Sequence, residues 1–140
     1  MSRGDFFTLE RKKVTVYSDF LTNFDRNPTT DNLALNINEN AVKRAVRNIV
    51  LTNVGERFYN SSKGTRIRNG LFELFDPVTK NLLEIQIKET ITALEPRASP
   101  LHVSVDEEQD SYGLRVRITF GIVNLISEPT TIDIFVERVR

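Results

Sequence analysis

The sequence predicts an α+β fold, in which an N-terminal strand and loop and two to three helices pack on a C-terminal three-stranded antiparallel meander sheet. Three observations carry this reading. Apolar residues recur at helical spacing as far as Leu94 and at a period of two from Leu101 onward. The joint between the two regimes is Glu95-Pro96-Arg97, where proline fixes φ at roughly −65°, removes an N–H and pushes Glu95 out of the right-handed helical region. Finally, 140 residues leave room for one core and not two. We therefore expect a single domain over 12–140, preceded by a flexible arm over 1–11.

That arm is polar apart from Phe6-Phe7, an aromatic pair suited to docking on a partner. Val14, Val16 and Phe20 alternate with Thr15 and Tyr17, which predicts a short strand, and the Asn-, Thr- and Pro-rich stretch through Asp31 predicts a long loop. The first firm helix follows. Asn36 or Asn38 is placed to cap it, Glu39 sits in its first turn, and Val42, Ala45, Val46, Ile49 and Val50 repeat opposite a solvated basic face of Lys43, Arg44 and Arg47. Gly55 is expected to close the helix as a left-handed residue, and the turn-rich segment 60–64 extends the break. Arg66 to Phe75 is too densely apolar for a clean period and predicts a short buried helix or irregular turn ended by Asp76-Pro77. The second helix carries Leu82, Leu83, Ile87, Ile91 and Leu94 on one stripe.

Beyond Pro100 three strands are predicted: one with Leu101, Val103 and Val105, a second with Leu114, Val116, Ile118, Phe120 and Ile122, and a third with Ile132, Ile134 and Val136. Asp106 to Gly113 reads as an acidic hairpin loop, and Ser127-Glu128-Pro129 as the second connection. A sheet this small has two edges, and an unpaired edge is a template for a strand of another chain.

Composition excludes several function classes. Nineteen basic residues balance nineteen acidic ones, so no global field gathers phosphates, and neither a nucleic acid nor a membrane is expected as partner. There is no cysteine, hence no disulfide, thiolate metal site or thiol nucleophile. With no apolar run of signal-peptide or membrane-spanning length, a soluble protein not exported by a signal peptide is expected. The only histidine, His102, should face away from Leu101 and Val103, in a surface or interface role. Asn60 to Thr65 lacks the upstream glycine and preceding buried strand of a phosphate loop and reads as a turn. The run Asp106 to Asp110 lacks the glycine and spacing of a calcium loop and reads as a solvated hairpin tip. No catalytic residue, cofactor or metal is expected, although paired carboxylates for glycoside hydrolysis depend on folded geometry that sequence does not give. What remains is Gly55-Glu56-Arg57 after the first helix and Glu95-Pro96-Arg97 after the second, two Glu/Arg sets whose placement invites reciprocal ion pairing.

At these residues the chain resembles the lysozyme-like baseplate wedge family of contractile-tailed phages, whose counterpart is a baseplate component of type VI secretion systems. The likeness covers most of the chain. It runs through Tyr17-Ser18-Asp19-Phe20, Thr30-Asp31, Ala41, Asn48, Thr52 with Gly55-Glu56-Arg57, Gly64-Thr65, Leu71-Phe72, Phe75-Asp76-Pro77, Glu95-Pro96-Arg97 and the alternation after it. The segment from Asn53 to Gly70 departs by being less hydrophobic than the family pattern. The resemblance implies a virion protein of the tail baseplate, assembled in the host cytoplasm. It would be a structural component and not an enzyme, tying other wedge proteins to tube-proximal hub proteins and starting the sheath. It further implies that Glu95, Pro96 and Arg97, with Gly55, Glu56 and Arg57, meet the helical core bundle of larger wedge subunits. The C-terminal strands would accept the tail sheath protein, through Tyr112, Leu114, Val116 and Ile118 or through Thr131, Ile132, Ile134 and Val136. The alternative is a peptidoglycan-degrading, lysozyme-like hydrolase of the tail, for which the family label supplies no motif.

Overall fold

The computed structural model describes residues 14–108 and 112–137, without the side chain of Pro100; the expected arm over 1–11, with Phe6-Phe7, lies outside the described residues. Its elements run β1 (Ser18–Phe20), β2 (Leu35–Ile37), α1 (Glu39–Leu51), α2 (Ile67–Gly70), α3 (Pro77–Leu94), β3 (Ala98–Glu108), β4 (Gly113–Ile122) and β5 (Thr130–Glu137). The order is the α+β arrangement that the sequence predicts, helices first and meander last, with a small β1–β2 ribbon added in front.

Alternation builds the sheet. Leu114, Val116, Ile118, Phe120 and Ile122 of β4 are buried between exposed Arg115 and Arg117, and β3 and β5 contribute Val103, Val105, Ile134 and Val136 to the same face. Val42, Val46 and Val50 of α1 and Leu83, Ile87 and Ile91 of α3 close over that face in one core. Burying each such aliphatic side chain contributes about 1.5–3 kcal/mol.

Several expectations are corrected by this packing. Val14 and Val16 are exposed, and Tyr17 is the residue of that stretch packed against the core. Leu82 lies outside the buried stripe of α3 and joins Val78 and Ile85 on an exposed one. Gly55 does have positive φ (93°), but α1 has already ended at Leu51, where Thr52 turns extended and its hydroxyl donates to Asn48 O at 2.6 Å. The acidic run is strand rather than loop as far as Glu108. Asp106, Glu107 and Glu108 pair in register with Arg115, Leu114 and Gly113, and Arg115 forks onto the Glu108 carboxylate, so opposite charges across the ladder lengthen the hairpin.

Asn38 stands at the cap position of α1 but does not cap it with its side chain. Its φ of 50°, which asparagine tolerates better than most residues, turns the amide backward. There Oδ1 accepts from the N–H groups of Val16 (2.8 Å) and Tyr17 (3.1 Å), and Nδ2 donates to Val14 O at 2.9 Å. This one amide ties the N-terminal segment to the first helix.

Helix α3 begins more conventionally. Asp76 Oδ1 accepts from Thr79 N at 2.7 Å, and Pro77 occupies the first turn, where its missing N–H costs nothing. The backbone and side-chain bonds from Thr79 hold the Asp76 carboxyl below its ordinary value. A depressed carboxyl contributes stability above its unfolded pKa and loses it as pH falls through the folded one. Asp76→Ala should therefore lower the denaturation midpoint at pH 7, and the gap to wild type should close on acidification below the ordinary carboxylate range. A gap that persists in acid would show that Asp76 acts through packing.

Candidate functional site: a charged joint and an open sheet edge

The Glu95-Pro96-Arg97 joint is a turn. Ala98 N donates to Glu95 O at 3.1 Å, with Pro96 at the second position and exposed, and Arg97 O accepts from Val123 N at 2.9 Å, which starts the β3–β4 ladder. Glu95 is only 5% exposed. The Arg97 guanidinium forks onto its carboxylate through Nε (2.5 Å) and Nη2 (2.7 Å), reaches Asp19 of β1 at 3.5 Å, and lies 5.4 Å from the centre of the Tyr17 ring. Glu95, and then Asp19, hold the Arg97 pKa above its ordinary value. Tyr17 in turn donates its hydroxyl to Val123 O at 2.8 Å. The joint thus clasps the N-terminal segment to the point where α3 hands over to the sheet.

The two Glu/Arg sets do not exchange ion pairs, contrary to expectation. Glu56 turns back to accept from Asn53 N at 2.8 Å, and Gly55 N donates to Ser61 O at 2.7 Å, so that set builds its own turn. The sets nevertheless share a neighbourhood. A groove of about 320 Å³ is lined by Asp19, the partner of Arg97, by Leu94, and by Arg57, Arg44 and Lys63. Gly55, Glu56 and Arg57 are all exposed beside it.

Gly64 and Thr65 hold this turn to α1. Thr65 Oγ1 donates to Val50 O at 2.7 Å and its N–H to Thr52 O at 2.8 Å, while Gly64 adopts φ 133° so close to the chain that an added Cβ would stand 2.8 Å from Asn53 C. Gly64→Ala is expected to cost on the order of 2–3 kcal/mol, read as a shift in the urea midpoint. An unchanged midpoint would mean that the turn is free to rearrange.

The sheet runs β3-β4-β5, so β4 is paired on both sides. This corrects the expectation that Tyr112 to Val123 offers an acceptor edge: Leu114, Val116 and Ile118 face the core, and Tyr112 is an exposed residue at the hairpin with φ 47°. Ile134 and Val136 are likewise buried, Ile132 is half-buried and Thr131 exposed, so β5 can be read by a partner only through its backbone and outer face.

The two true edges differ. Val105 N–H on β3 points outward and donates to Glu84 Oε1 of α3 at 3.0 Å, and Lys80 reaches Asp106 at 2.8 Å, so α3 obstructs the β3 edge at Val105 and Asp106. The same bond sets the phase of the ladder. With Val105 turned outward, its partner Val116 turns toward β5 and bonds Ile134, and alternation then leaves Thr131, Asp133, Phe135 and Glu137 with outward N–H and C=O groups. Periodicity alone carried no signal for this, because the deciding contact is a helix side chain on a strand amide.

His102 is exposed opposite Thr119, as its alternation predicts. Among the described residues no three His, Asp or Glu side chains gather as a metal site, and no helix is long and apolar enough to cross a membrane.

A helical pair closed over a three-stranded meander, with a charged joint at the handover and one open strand edge, defines a small α+β module of protein assembly type. The chain belongs to the baseplate wedge protein gp25 family, whose pattern matches residues 38–124. It is 30% identical over 84 residues to baseplate wedge protein gp25 of Enterobacteria phage T4, an alignment that takes in 60% of this chain and 64% of that protein. Three solved structures share the fold. A Geobacter sulfurreducens protein described as a tail lysozyme superposes with a TM-score of 0.64 at 21% identity, over 73% of this chain and 92% of its own. A chain of the anti-feeding prophage baseplate gives 0.62 at 24%, over 79% and 88%. One from the type VI secretion baseplate complex gives 0.56 at 15%, over 70% and 93%.

Proposed function

We propose that residues 12–140 form a structural domain of the baseplate in a contractile phage tail or a related injection machine, joining the helical core bundle of the wedge to the sheath and starting sheath assembly. The observation that carries this is the β5 edge, left open where the β3 edge is obstructed by Glu84. An unpaired edge recruits an extended segment through main-chain hydrogen bonds and takes specificity from alternate side chains, with no site chemistry. On the wedge side, Arg57 of the exposed Gly55-Glu56-Arg57 turn lines one groove with Asp19, the partner of Arg97, and with Leu94, the residue before Glu95, and a helix of the bundle docks there in this reading. Arg97 and Glu95 act there as a pair already satisfied within the chain, fixing the shape of the joint rather than waiting for the charges of a partner. The tube-proximal hub is a further neighbour in this reading, and the place of action is the virion baseplate, assembled in the host cytoplasm.

A non-enzymatic role fits the carboxylates. Four of the grooves on the described residues are each lined by a single one, Asp19, Asp133, Glu89 or Glu73, whereas glycoside hydrolysis uses two carboxyl groups flanking one bond. Co-purification with wedge subunits and sheath protein, alongside a muralytic assay on the same preparation, tests the function. Stable partner complexes without cell-wall cleavage are expected; cleavage by the isolated chain would replace the assembly role with the hydrolase.

A further inference from the structure

Strand β5 opens onto a cleft. Helix α1 runs beside its outer edge, and the space between them, about 680 Å³, has Asn40, Lys43, Arg44 and Arg47 on one wall and Thr131, Ile132 and Asp133 on the other. Positions 40, 43, 44 and 47 follow the i, i+3, i+4, i+7 rule, so a single stripe of α1 faces the cleft, and that stripe is entirely polar. Among the described residues, Lys43, Arg44 and Arg47 pair with no carboxylate. Arg44 donates only to the amide oxygen of Asn23, at 3.4 Å. The one carboxylate on the cleft, Asp133, is held by Arg117 on β4 at 2.9 Å. A chain of zero net charge has thus gathered three uncompensated cations beside its open strand edge.

We propose that the segment added to β5 is acidic: an extended strand with Asp or Glu at alternate positions, its carboxylates turned toward α1. This rests on the reading of β5 as the acceptor edge and gives that edge a chemical preference. Side chains of an added strand alternate between the two faces of the sheet, so every second one meets the helix wall. Carboxylates two residues apart stand about 6.7 Å apart, and the turn of helix between Lys43 and Arg47 rises about 6 Å, so two ion pairs form without bending either element. Lys43 and Arg44 are half-buried, where a docked strand displaces water and strengthens the pairs.

The test titrates the full isotope-labelled chain with short synthetic peptides that alternate Thr with Glu, Gln or Lys. The Glu peptide should shift the amides of Thr131, Asp133 and Phe135 and bind about tenfold or more tighter than the Gln peptide at low salt, an advantage that salt erodes. Lys43→Gln with Arg47→Gln should remove that advantage while leaving Gln-peptide binding intact. Equal binding of Glu and Gln peptides at β5 would overturn the acidic preference and leave the edge standing. No shift at any β5 amide with any peptide would overturn both. Displacement of the Glu peptide by a short oligonucleotide at equal concentration, or Glu-peptide shifts confined to α1, would make the stripe a general anion patch and overturn the proposal. Self-association of the double variant with its Glu preference unchanged would make the cations a guard against edge pairing, which also overturns it.

Discussion

Asp133→Pro should fold and fail to recruit sheath. The Asp133 N–H lies on the outward side of β5, so proline there removes no bond of the β4–β5 ladder. The cost to the fold is the exposed Arg117 pair and some misfit in φ, roughly 1–2 kcal/mol together. An incoming strand, by contrast, meets a missing donor and a ring in its path. Ile134→Pro, one residue on, is the internal control: it deletes a ladder bond and a core side chain that is 1% exposed, for a loss above about 3 kcal/mol. Assembly reactions that count sheathed tails, together with melting curves of both variants, read the contrast. Normal sheath on Asp133→Pro baseplates would remove β5 from the account. A simpler truncation of the last strand is uninformative, because Ile134 and Val136 belong to the core and their loss unfolds the sheet.

Arg97→Ala should be the most damaging change at the joint. It leaves the buried Glu95 carboxylate without its bidentate partner, releases Asp19 and uncovers the Tyr17 ring. Breaking a buried pair costs about 3–5 kcal/mol, and the side chain of Arg97 is 28% exposed, so the lower end applies. A fall in Tm of about 10 °C follows for a chain of this size. Arg97→Lys should recover part of it, since an ammonium cannot fork. Glu95→Leu with Arg97→Met should sit near wild-type stability, because removing both charges leaves nothing stranded. If that double variant folds normally and still loses the wedge subunits, the charges are read by the partner; if it keeps them, the pair serves to shape the joint. A single Arg97→Ala variant as stable as wild type would contradict the geometry of the pair.

Much of the fold was legible in the sequence because periodicity is a local property. The 3.6-residue period of α1 and α3, the period of two in β3 to β5, and the break at Pro96 each reflect which side chains face one core. Where the reading failed, the deciding contact was a specific side-chain or cross-strand pairing that periodicity does not encode. Asn38 was legible as a cap position, but its amide turns to Val14 and Val16 more than twenty residues back. The Asp106 to Glu108 run looked like a loop because its partners, Arg115 and Gly113, lie across the turn. Of the candidate site, the residues of the joint were legible, whereas the suggested match between the two Glu/Arg sets does not form: Arg97 satisfies Glu95 two residues away, inside one set. The open edge was expected without its identity, which needed Glu84 of α3 against Val105.

Amide hydrogen exchange of the full chain, alone and with sheath protein, tests the central claim most directly. On binding, the amides of Thr131, Asp133 and Phe135 should become protected while those along the outer edge of β3 stay as they were. Protection that appears along β3, or none at β5 in a complex that demonstrably forms, would contradict the account.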